Sequence, residues 1–133
     1  MPLKRSVLLL VDDESSILQT MRRLFEDEGY EVATAEGSAQ ALEYLKSNGK
    51  VDAVITDLNM EAEDIGLEVA RAAQKLKPKP AVVICTGYAN LNNSRSALEM
   101  GVDYLALKPV EPSELIGAIN RLVLRHRGPR TKV

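Results

Sequence analysis

Five short apolar runs alternate along the sequence with longer stretches in which apolar residues recur at helical spacing. Regular alternation of strands and helices is typical of a parallel sheet that is covered by helices on both faces. The first run, Val7 to Val11, is apolar at every position, as expected of a central strand that is buried on both sides. The sequence therefore predicts an α/β domain with five strands, at residues 7–11, 31–35, 53–56, 81–85 and 104–107.

The stretches between these runs carry residues that favour the ends of helices. Ser15 or Ser16 is expected to cap the first helix, and Ser38 the second, because a serine hydroxyl accepts a hydrogen bond from a free backbone N–H of the first turn. The fourth helix is predicted over Asn92 to Met100 and begins with poor helix formers. Pro112 suits the first turn of the last helix.

Length and composition limit what the chain can be. Its 133 residues are the size of one domain, which we expect to cover residues 1–127, and its net charge of −2 argues against attraction of the whole protein to nucleic acid. The apolar run 7–11 is too short for a membrane span or a signal-peptide core, so the expected location is the cytoplasm. The one cysteine, Cys85, lies within an apolar run and is expected to pack in the core.

A short basic tail, residues 128–133, follows the last predicted helix and contains Arg130 and Lys132. Basic residues also occur within the last turns of that helix, where cations are favoured by the helix dipole. The charges are few, and nucleic-acid binding needs many phosphate contacts. We therefore interpret the tail as a solvated helix end and expect no direct contact with nucleic acid.

Polar residues stand directly after four of the five predicted strands. Asp12 and Asp13 follow the first strand, Asp57 the third, Thr86 the fourth and Lys108 the fifth. In an open parallel sheet the ligand site lies beyond the carboxyl ends of the strands. Each residue alone has an ordinary explanation, since Asp12 and Asp13 suit a helix N-terminus and the others suit loops. Their joint placement instead predicts a single site.

The residue types at this predicted site suit phosphoryl chemistry. Carboxylates in one cleft repel each other, by about 4 kcal/mol per pair at about 4 Å and an effective dielectric near 20, and so need a cation. Oxygen ligands favour Mg²⁺ or Mn²⁺. A carboxylate also serves as a nucleophile toward a phosphoryl group, a role for which Asp57 is the candidate. Lys108 and the Thr86 hydroxyl would then hold phosphoryl oxygens.

Four motifs in this order resemble the receiver domains of two-component response regulators: Leu-Val-Asp-Asp-Glu, Thr-Asp-Leu-Asn-Met, Cys-Thr-Gly-Tyr and Leu-Lys-Pro. The resemblance runs from about Val7 to Arg125. It implies that Asp57 accepts a phosphoryl group from a histidine of a partner kinase. It also implies that Asp12, Asp13, Asp57 and the backbone carbonyl of Asn59 hold Mg²⁺, and that the peptide bond before Pro109 is cis.

The expected fold is a flavodoxin-like three-layer α/β domain whose parallel strands lie in the order 2-1-3-4-5. The expected function is a phosphorylation-dependent switch that does not turn over a substrate. Only about six residues follow the last helix, so we expect no DNA-binding motif there and output through a partner protein. In this family helix 4, strand 5 and helix 5 form the surface for association, which includes possible homodimers.

The sequence departs from the usual family pattern at two places. The loop after Asp57 is one residue longer, more acidic and without the usual proline. On strand five, Leu105 stands where an aromatic is usual, and Tyr104 is expected on the opposite face because successive strand residues alternate. Tyr88 occupies a position that borders the site in receivers and influences the lifetime of the acyl phosphate.

Three other functions remain open from the sequence. A degenerate receiver would bind partners without phosphorylation, and the altered loop keeps this alternative open. A Mg²⁺-dependent phosphohydrolase would also use Asp57 as a nucleophile, although a separate general acid is not evident. A flavin-binding module would share the fold, but Asp12, Asp13 and Glu14 would repel the cofactor phosphate.

Overall fold

The computed structural model of the protein describes residues 5–48, 50–87 and 90–127, in which five strands and five helices alternate. Among these helices, none combines the length and the apolar character that crossing a membrane requires. In chain order the elements are β1 (Val7–Val11), α1 (Ser15–Asp27), β2 (Glu31–Ala35), α2 (Ser38–Asn48), β3 (Ala53–Asp57), α3 (Gly66–Gln74), β4 (Ala81–Thr86), α4 (Leu91–Met100), β5 (Tyr104–Leu107) and α5 (Pro112–Arg127).

The five strands form one parallel sheet in the order β2-β1-β3-β4-β5. Its register places Val54 of β3 beside Leu9 on one side and Val82 on the other. The chain reverses its direction of winding at β1 and β3, so a crevice opens beyond the carboxyl ends of these two central strands. The predicted flavodoxin-like fold and strand order are confirmed.

Two apolar layers pack against the two faces of the sheet. Alternate residues of β1 point to opposite faces, so Leu8 and Leu10 join one layer while Leu9 and Val11 join the other. The first layer is completed by side chains of α1 and α5, and the second by side chains of α2, α3 and α4. This double burial explains why β1 is apolar at every position.

The starts of three helices differ from the predicted ones. Residue Glu14, rather than Ser15 or Ser16, caps α1, and it does so without a side-chain hydrogen bond. Ser38 is the first residue of α2, and its N–H and hydroxyl donate to the Glu61 carboxylate instead of capping the helix. Helix α4 begins one residue early, at Leu91. The Ser38 contact depends on a loop that is distant in the sequence, whereas α4 is capped locally, by Asn90 together with Asn93.

Two of the predicted site residues are the last residues of their strands rather than the first residues after them. Asp57 pairs with Cys85 in the sheet, and Thr86 pairs with Leu107.

Cys85 lies in the core as predicted, and burial raises the pKa of its thiol to about 12. The peptide bond between Lys108 and Pro109 is cis, as the family resemblance implies, and so is the bond before Pro78.

Candidate functional site

Three carboxylates meet at the carboxyl ends of β1 and β3. Asp12 and Asp57 are buried, with 6% and 8% of their surface exposed, whereas Asp13 is exposed. One oxygen of each carboxylate lies within 4.8 Å of the others. The fold thus brings Asp57 to the adjacent pair Asp12 and Asp13, from which it is separated by more than forty residues in the sequence.

Lys108 reaches into this cleft from the loop after β5. Its Nζ donates to Oδ2 of Asp12 at 2.9 Å and to Oδ2 of Asp57 at 3.2 Å. The Lys108 side chain is only partly exposed, so solvent screens these ion pairs less than it would at the surface. Among the described residues in these contacts, three carboxylates and one ammonium leave an excess of two negative charges in the cleft.

The pKa values at the site reflect this crowding. Burial raises the pKa of Asp57 above its usual value, and the charge of Asp12 raises it further, against the opposing effect of Lys108. Burial alone would lower the pKa of Lys108, but its hydrogen bond to Asp12 and the negative charges of Asp57 and Asp12 raise it overall. Lys108 therefore stays protonated. The ionised form of Asp57 is disfavoured until a metal cation also binds in the cleft.

Replacing Lys108 by methionine is expected to raise the pKa of Asp57 further in metal-free protein. The ammonium lowers that pKa both by its charge and by its hydrogen bond, so its removal disfavours the carboxylate form. An NMR titration of the Asp57 carboxyl carbon would measure the shift. Lys79→Met, a change remote from this cleft, serves as the control. An unchanged or lower pKa in Lys108→Met would contradict this description of the site.

Thr86 lies at the end of β4 and is 1% exposed. Its carbonyl oxygen accepts the backbone N–H of Lys108 at 2.8 Å, which ties the end of β4 to the start of the loop after β5. Thr86 and Lys108 are therefore held in a fixed relation by the backbone. The structure brings Asp12, Asp13, Asp57, Thr86 and Lys108 to one edge of the sheet.

The loop between β3 and α3 is held closely against the site. Asn59 lies two residues after Asp57, and its Oδ1 accepts the backbone N–H of Asp64 at 2.6 Å. The Gly66 N–H donates to the carbonyl oxygen of Leu58 at 2.8 Å, which closes the base of the loop. The longer loop is thus folded back on itself beside the phosphoacceptor candidate.

Gly66 is a site residue that the sequence reasoning missed. A Cβ atom at this position would overlap the backbone carbonyl oxygen of Asp57 and would lie 2.8 Å from Leu58 Cα. The first turn of α3 can therefore approach the end of β3 only because residue 66 has no side chain. A glycine at the start of a helix, where a better helix former would normally be favoured, was the available signal.

The structure describes two of the three candidate switch residues. Tyr104 is exposed, whereas Leu105 is half-buried and packs with the apolar layer of α2, α3 and α4. Leu105 pairs with Ile84 in the sheet, so it lies on the same face as Thr86, and Tyr104 lies on the other face as predicted. Tyr88 lies outside the described residues.

An apolar groove adjoins the acidic cleft between α1 and the loop after β5. It is a cavity of about 620 Å³ whose lining includes Asp12, Asp57 and Lys108. The remainder of its wall is largely apolar and includes Ile17 and Met21 of α1 together with Val110. An approaching molecule would therefore meet an apolar surface directly beside the carboxylate of Asp57.

The donor set fits a hard divalent cation. All three acidic side chains offer oxygen, and the excess of two negative charges over Lys108 matches a doubly charged ion. Mg²⁺ keeps several waters and takes only a few protein ligands, which suits a cleft that remains open at Asp13. Asp12, Asp13 and Asp57 are the side chains in the described ranges that would hold it.

Comparison with known proteins agrees with this geometry. Residues 8–120 match the family described as the response regulator receiver domain. The alginate biosynthesis transcriptional regulatory protein AlgB of Pseudomonas aeruginosa is 41% identical over 92% of this chain, and GlrR of Escherichia coli is 37% identical over 88%. The chain spans about a quarter of the length of these relatives, 27% and 26% respectively.

Solved receiver structures also superpose on the chain. A CheY-like receiver domain protein from Methanospirillum hungatei has a TM-score of 0.87 and 30% identity, with 93% of this chain and 98% of that one covered. A receiver domain protein from Clostridium thermocellum has a TM-score of 0.81 and 36% identity, with 92% and 97% covered. With the strand order and the cluster of acidic residues at the strand ends, these matches show that the chain belongs to the response regulator receiver domain family.

Proposed function

We propose that the protein is a signalling switch that accepts a phosphoryl group on Asp57. The observation that carries this proposal is the contact of the Asp57 carboxylate with the Lys108 ammonium, at 3.2 Å, in a cleft that also holds Asp12 and Asp13. A buried carboxylate beside a fixed cation and further acidic groups is suited to receive an anionic group together with a divalent metal.

Asp12, Asp13, Asp57 and the backbone carbonyl of Asn59 are the proposed ligands of Mg²⁺ or Mn²⁺. When bound, the metal neutralises negative charge on the transferring phosphoryl group. Lys108 would exchange part of its contact with Asp57 for a phosphoryl oxygen, and the Thr86 hydroxyl would donate to another. Both residues are already held at the cleft by the backbone hydrogen bond that joins them.

The proposed reaction forms one bond and breaks one. The Asp57 carboxylate oxygen attacks the phosphorus of a phosphohistidine, the phosphorus–nitrogen bond breaks, and the electron pair of that bond remains on the imidazole nitrogen. The product is an acyl phosphate on Asp57. The Asp57 carboxylate is the nucleophile, so its raised pKa predicts that the transfer slows as the pH falls into the range where the carboxyl is protonated.

The proposed phosphodonor is a histidine kinase or phosphotransfer protein, which we expect to meet this domain in the cytoplasm. The groove lined by Ile17, Met21 and Val110 supports this partner, because it places an apolar docking surface beside Asp57. A helix that presents its histidine at the cleft would bury its apolar face in the groove. A charged side chain introduced into the groove should therefore slow phosphoryl transfer from a protein donor more than transfer from a small-molecule donor.

Glutamate at Ile17 is expected to slow phosphotransfer from a phosphohistidine protein at least about tenfold, since burying a charge against an apolar partner is unfavourable. The same variant should gain a phosphoryl group from acetyl phosphate at the normal rate. Gln19→Glu, at an exposed position of the same helix, is the control. Equal slowing with both donors would show that Ile17 affects the site itself rather than docking.

The proposed output surface is the face formed by α4, β5 and α5. Large apolar side chains are exposed on each of these elements, at Leu98, Tyr104, Leu107 and Leu124. β5 is the edge strand of the sheet, and exposed apolar side chains along an edge of a domain are candidates for an interaction surface. A downstream partner protein, or a second copy of the domain, is the proposed occupant. The relatives AlgB and GlrR are named transcriptional regulatory proteins, but their output is a property of much longer chains.

The test of this function is intact mass spectrometry after incubation with acetyl phosphate, with and without Mg²⁺. We expect a gain of one phosphoryl group that requires the metal and that is lost in Asp57→Asn, which keeps the shape of the side chain. No gain under any condition would instead favour a receiver that acts without phosphorylation. Continuous release of phosphate from a small phosphomonoester would favour a phosphohydrolase.

A further inference from the structure

The loop after Asp57 contacts two helices besides the one it leads into. The Glu61 carboxylate accepts the backbone N–H of Ser38, at 3.2 Å, and also the Ser38 hydroxyl, at the start of α2. Asp64 Oδ1 accepts a hydrogen bond from Asn93 Nδ2, at 3.4 Å, at the start of α4. The loop therefore joins the phosphoacceptor site to both of these helices.

Asp64 is coupled to the site through Asn59. The Asn59 side chain accepts the Asp64 N–H at 2.6 Å, and Asp64 adopts a left-handed backbone conformation with φ of 59°. Aspartate and asparagine tolerate that conformation better than most residues. Asn59 is separated from Asp57 by one residue, so a change in the backbone at the end of β3 reaches Asp64 through a single side-chain hydrogen bond.

The side-chain amide of Asn93 contacts both the cap of α4 and the loop after Asp57. Its Oδ1 accepts the backbone N–H of Asn90 at 2.9 Å, and the backbone N–H of Asn93 donates to Asn90 Oδ1 at 2.8 Å, so the two residues form a reciprocal cap for α4. Its Nδ2 contacts Asp64. Asn93 is 4% exposed, so the amide is not free to turn toward solvent in place. A displacement of Asp64 in the loop would therefore also displace the cap of α4.

We propose that Asn59, Asp64 and Asn93 act as positioning residues that transmit the state of Asp57 to the first turn of α4. This inference rests on the proposed function, since it requires phosphorylation at Asp57. The contact between Asp64 and Asn93 is near the upper length limit for a hydrogen bond, so a shift of a few tenths of an ångström decides whether it forms. Leu105 occupies the strand position where an aromatic is usual in the family. The polar contacts of Asn59, Asp64 and Asn93 connect the site to α4 without an aromatic side chain at that position.

The test exchanges the roles of the two residues in the contact. Asn93→Asp keeps the oxygen that caps Asn90 but places a carboxylate against Asp64 in place of the donor. The double variant Asp64→Asn/Asn93→Asp restores a donor and an acceptor with their positions reversed. Asn92→Asp, at an exposed neighbouring position, adds the same charge to the same turn without facing Asp64 and is the matched control.

Hydrogen–deuterium exchange over residues 90–97 provides the measurement, taken before and after treatment with acetyl phosphate and Mg²⁺. Intact mass records the phosphoryl gain of each sample. We expect phosphorylation to change the exchange rate of this segment in the wild type, in Asn92→Asp and in the double variant. In Asn93→Asp we expect less than half of that change, at a normal phosphoryl gain.

A full wild-type response in Asn93→Asp, or a double variant that does not recover it, would overturn the inference while the phosphoryl gain leaves the proposed function standing. A wild type that gains no phosphoryl group would overturn both. If Asn93→Asp does not fold, Asp64→Gly replaces it, because glycine accepts the positive φ and removes the acceptor. The same loss of response is expected, and a full response would overturn the inference.

Discussion

Alanine at Gly66 is expected to lower the free energy of unfolding by about 3 kcal/mol, near the upper end of what overpacking costs in a close-packed region. The added methyl group would overlap the carbonyl oxygen of Asp57 and crowd Leu58 Cα. Both of these are backbone atoms, which have no rotamer to move into. Either α3 must shift outward or the end of β3 must shift inward, and each movement disturbs the packing between them. Urea denaturation would measure the loss.

The matched control for this prediction is Gly117→Ala in α5. The nearest heavy atom to a Cβ at that position is the end of the flexible Arg121 side chain, at 3.4 Å. Alanine favours helices over glycine by about 0.5–1 kcal/mol, so this variant should be slightly more stable than the wild type. Equal stability of the two alanine variants would contradict the close approach of α3 to Asp57. A slower phosphorylation of Gly66→Ala is also expected, because the backbone of the nucleophile must move.

The second large effect is expected when Asp12 and Asp13 are both changed to asparagine. The double change removes two of the three carboxylates that lie within 4.8 Å of one another, while Asp57 and Lys108 remain. Removing a residue that only hydrogen-bonds to a metal ligand lowers metal affinity by about 10- to 100-fold. Removing two charged ligands should therefore lower the affinity by more than that. Phosphorylation by acetyl phosphate at limiting Mg²⁺ should slow by at least about a hundredfold.

Thermal unfolding provides an independent measurement on the same variant. A ligand that binds only the folded state raises the unfolding temperature, so Mg²⁺ should stabilise the wild type but not Asp12→Asn/Asp13→Asn. Glu63→Gln, which removes an exposed negative charge from the neighbouring loop, should keep the wild-type response. A double variant that is still stabilised by Mg²⁺ and phosphorylated at the normal rate would show that the metal lies elsewhere.

The fold, and the placement of the site residues at one edge of the sheet, were predictable because both follow from periodic patterns in the sequence. The apolar run of β1 indicated a central strand, and parallel strands necessarily bring their carboxyl ends to one edge. Asp12, Asp57 and Lys108 could therefore be placed together before any contact was known. The structure adds that Lys108 bridges the two buried carboxylates, with Nζ to Oδ2 distances of 2.9 and 3.2 Å.

The contacts of the loop after Asp57 could not be predicted in the same way. Glu61 binds Ser38 and Asp64 binds Asn93, and each pair is separated by more than twenty residues. Such contacts depend on where the folded helices lie and leave no periodic trace in the sequence. The prediction that Asn93 is only a poor helix former is incomplete for a different reason, because Asn93 forms a local, reciprocal cap with Asn90, three residues earlier, that suits the start of a helix.

Chemical trapping of the phosphorylated residue tests the central claim most directly. Borohydride reduces an acyl phosphate on aspartate to homoserine, and tandem mass spectrometry of the peptides then locates the converted residue. After treatment with acetyl phosphate and Mg²⁺ we predict homoserine at position 57, and none when the metal is withheld or when Asp57→Asn is used. Conversion at another aspartate, or no conversion in a sample that has gained a phosphoryl group, would contradict the assignment of Asp57 as the phosphoacceptor.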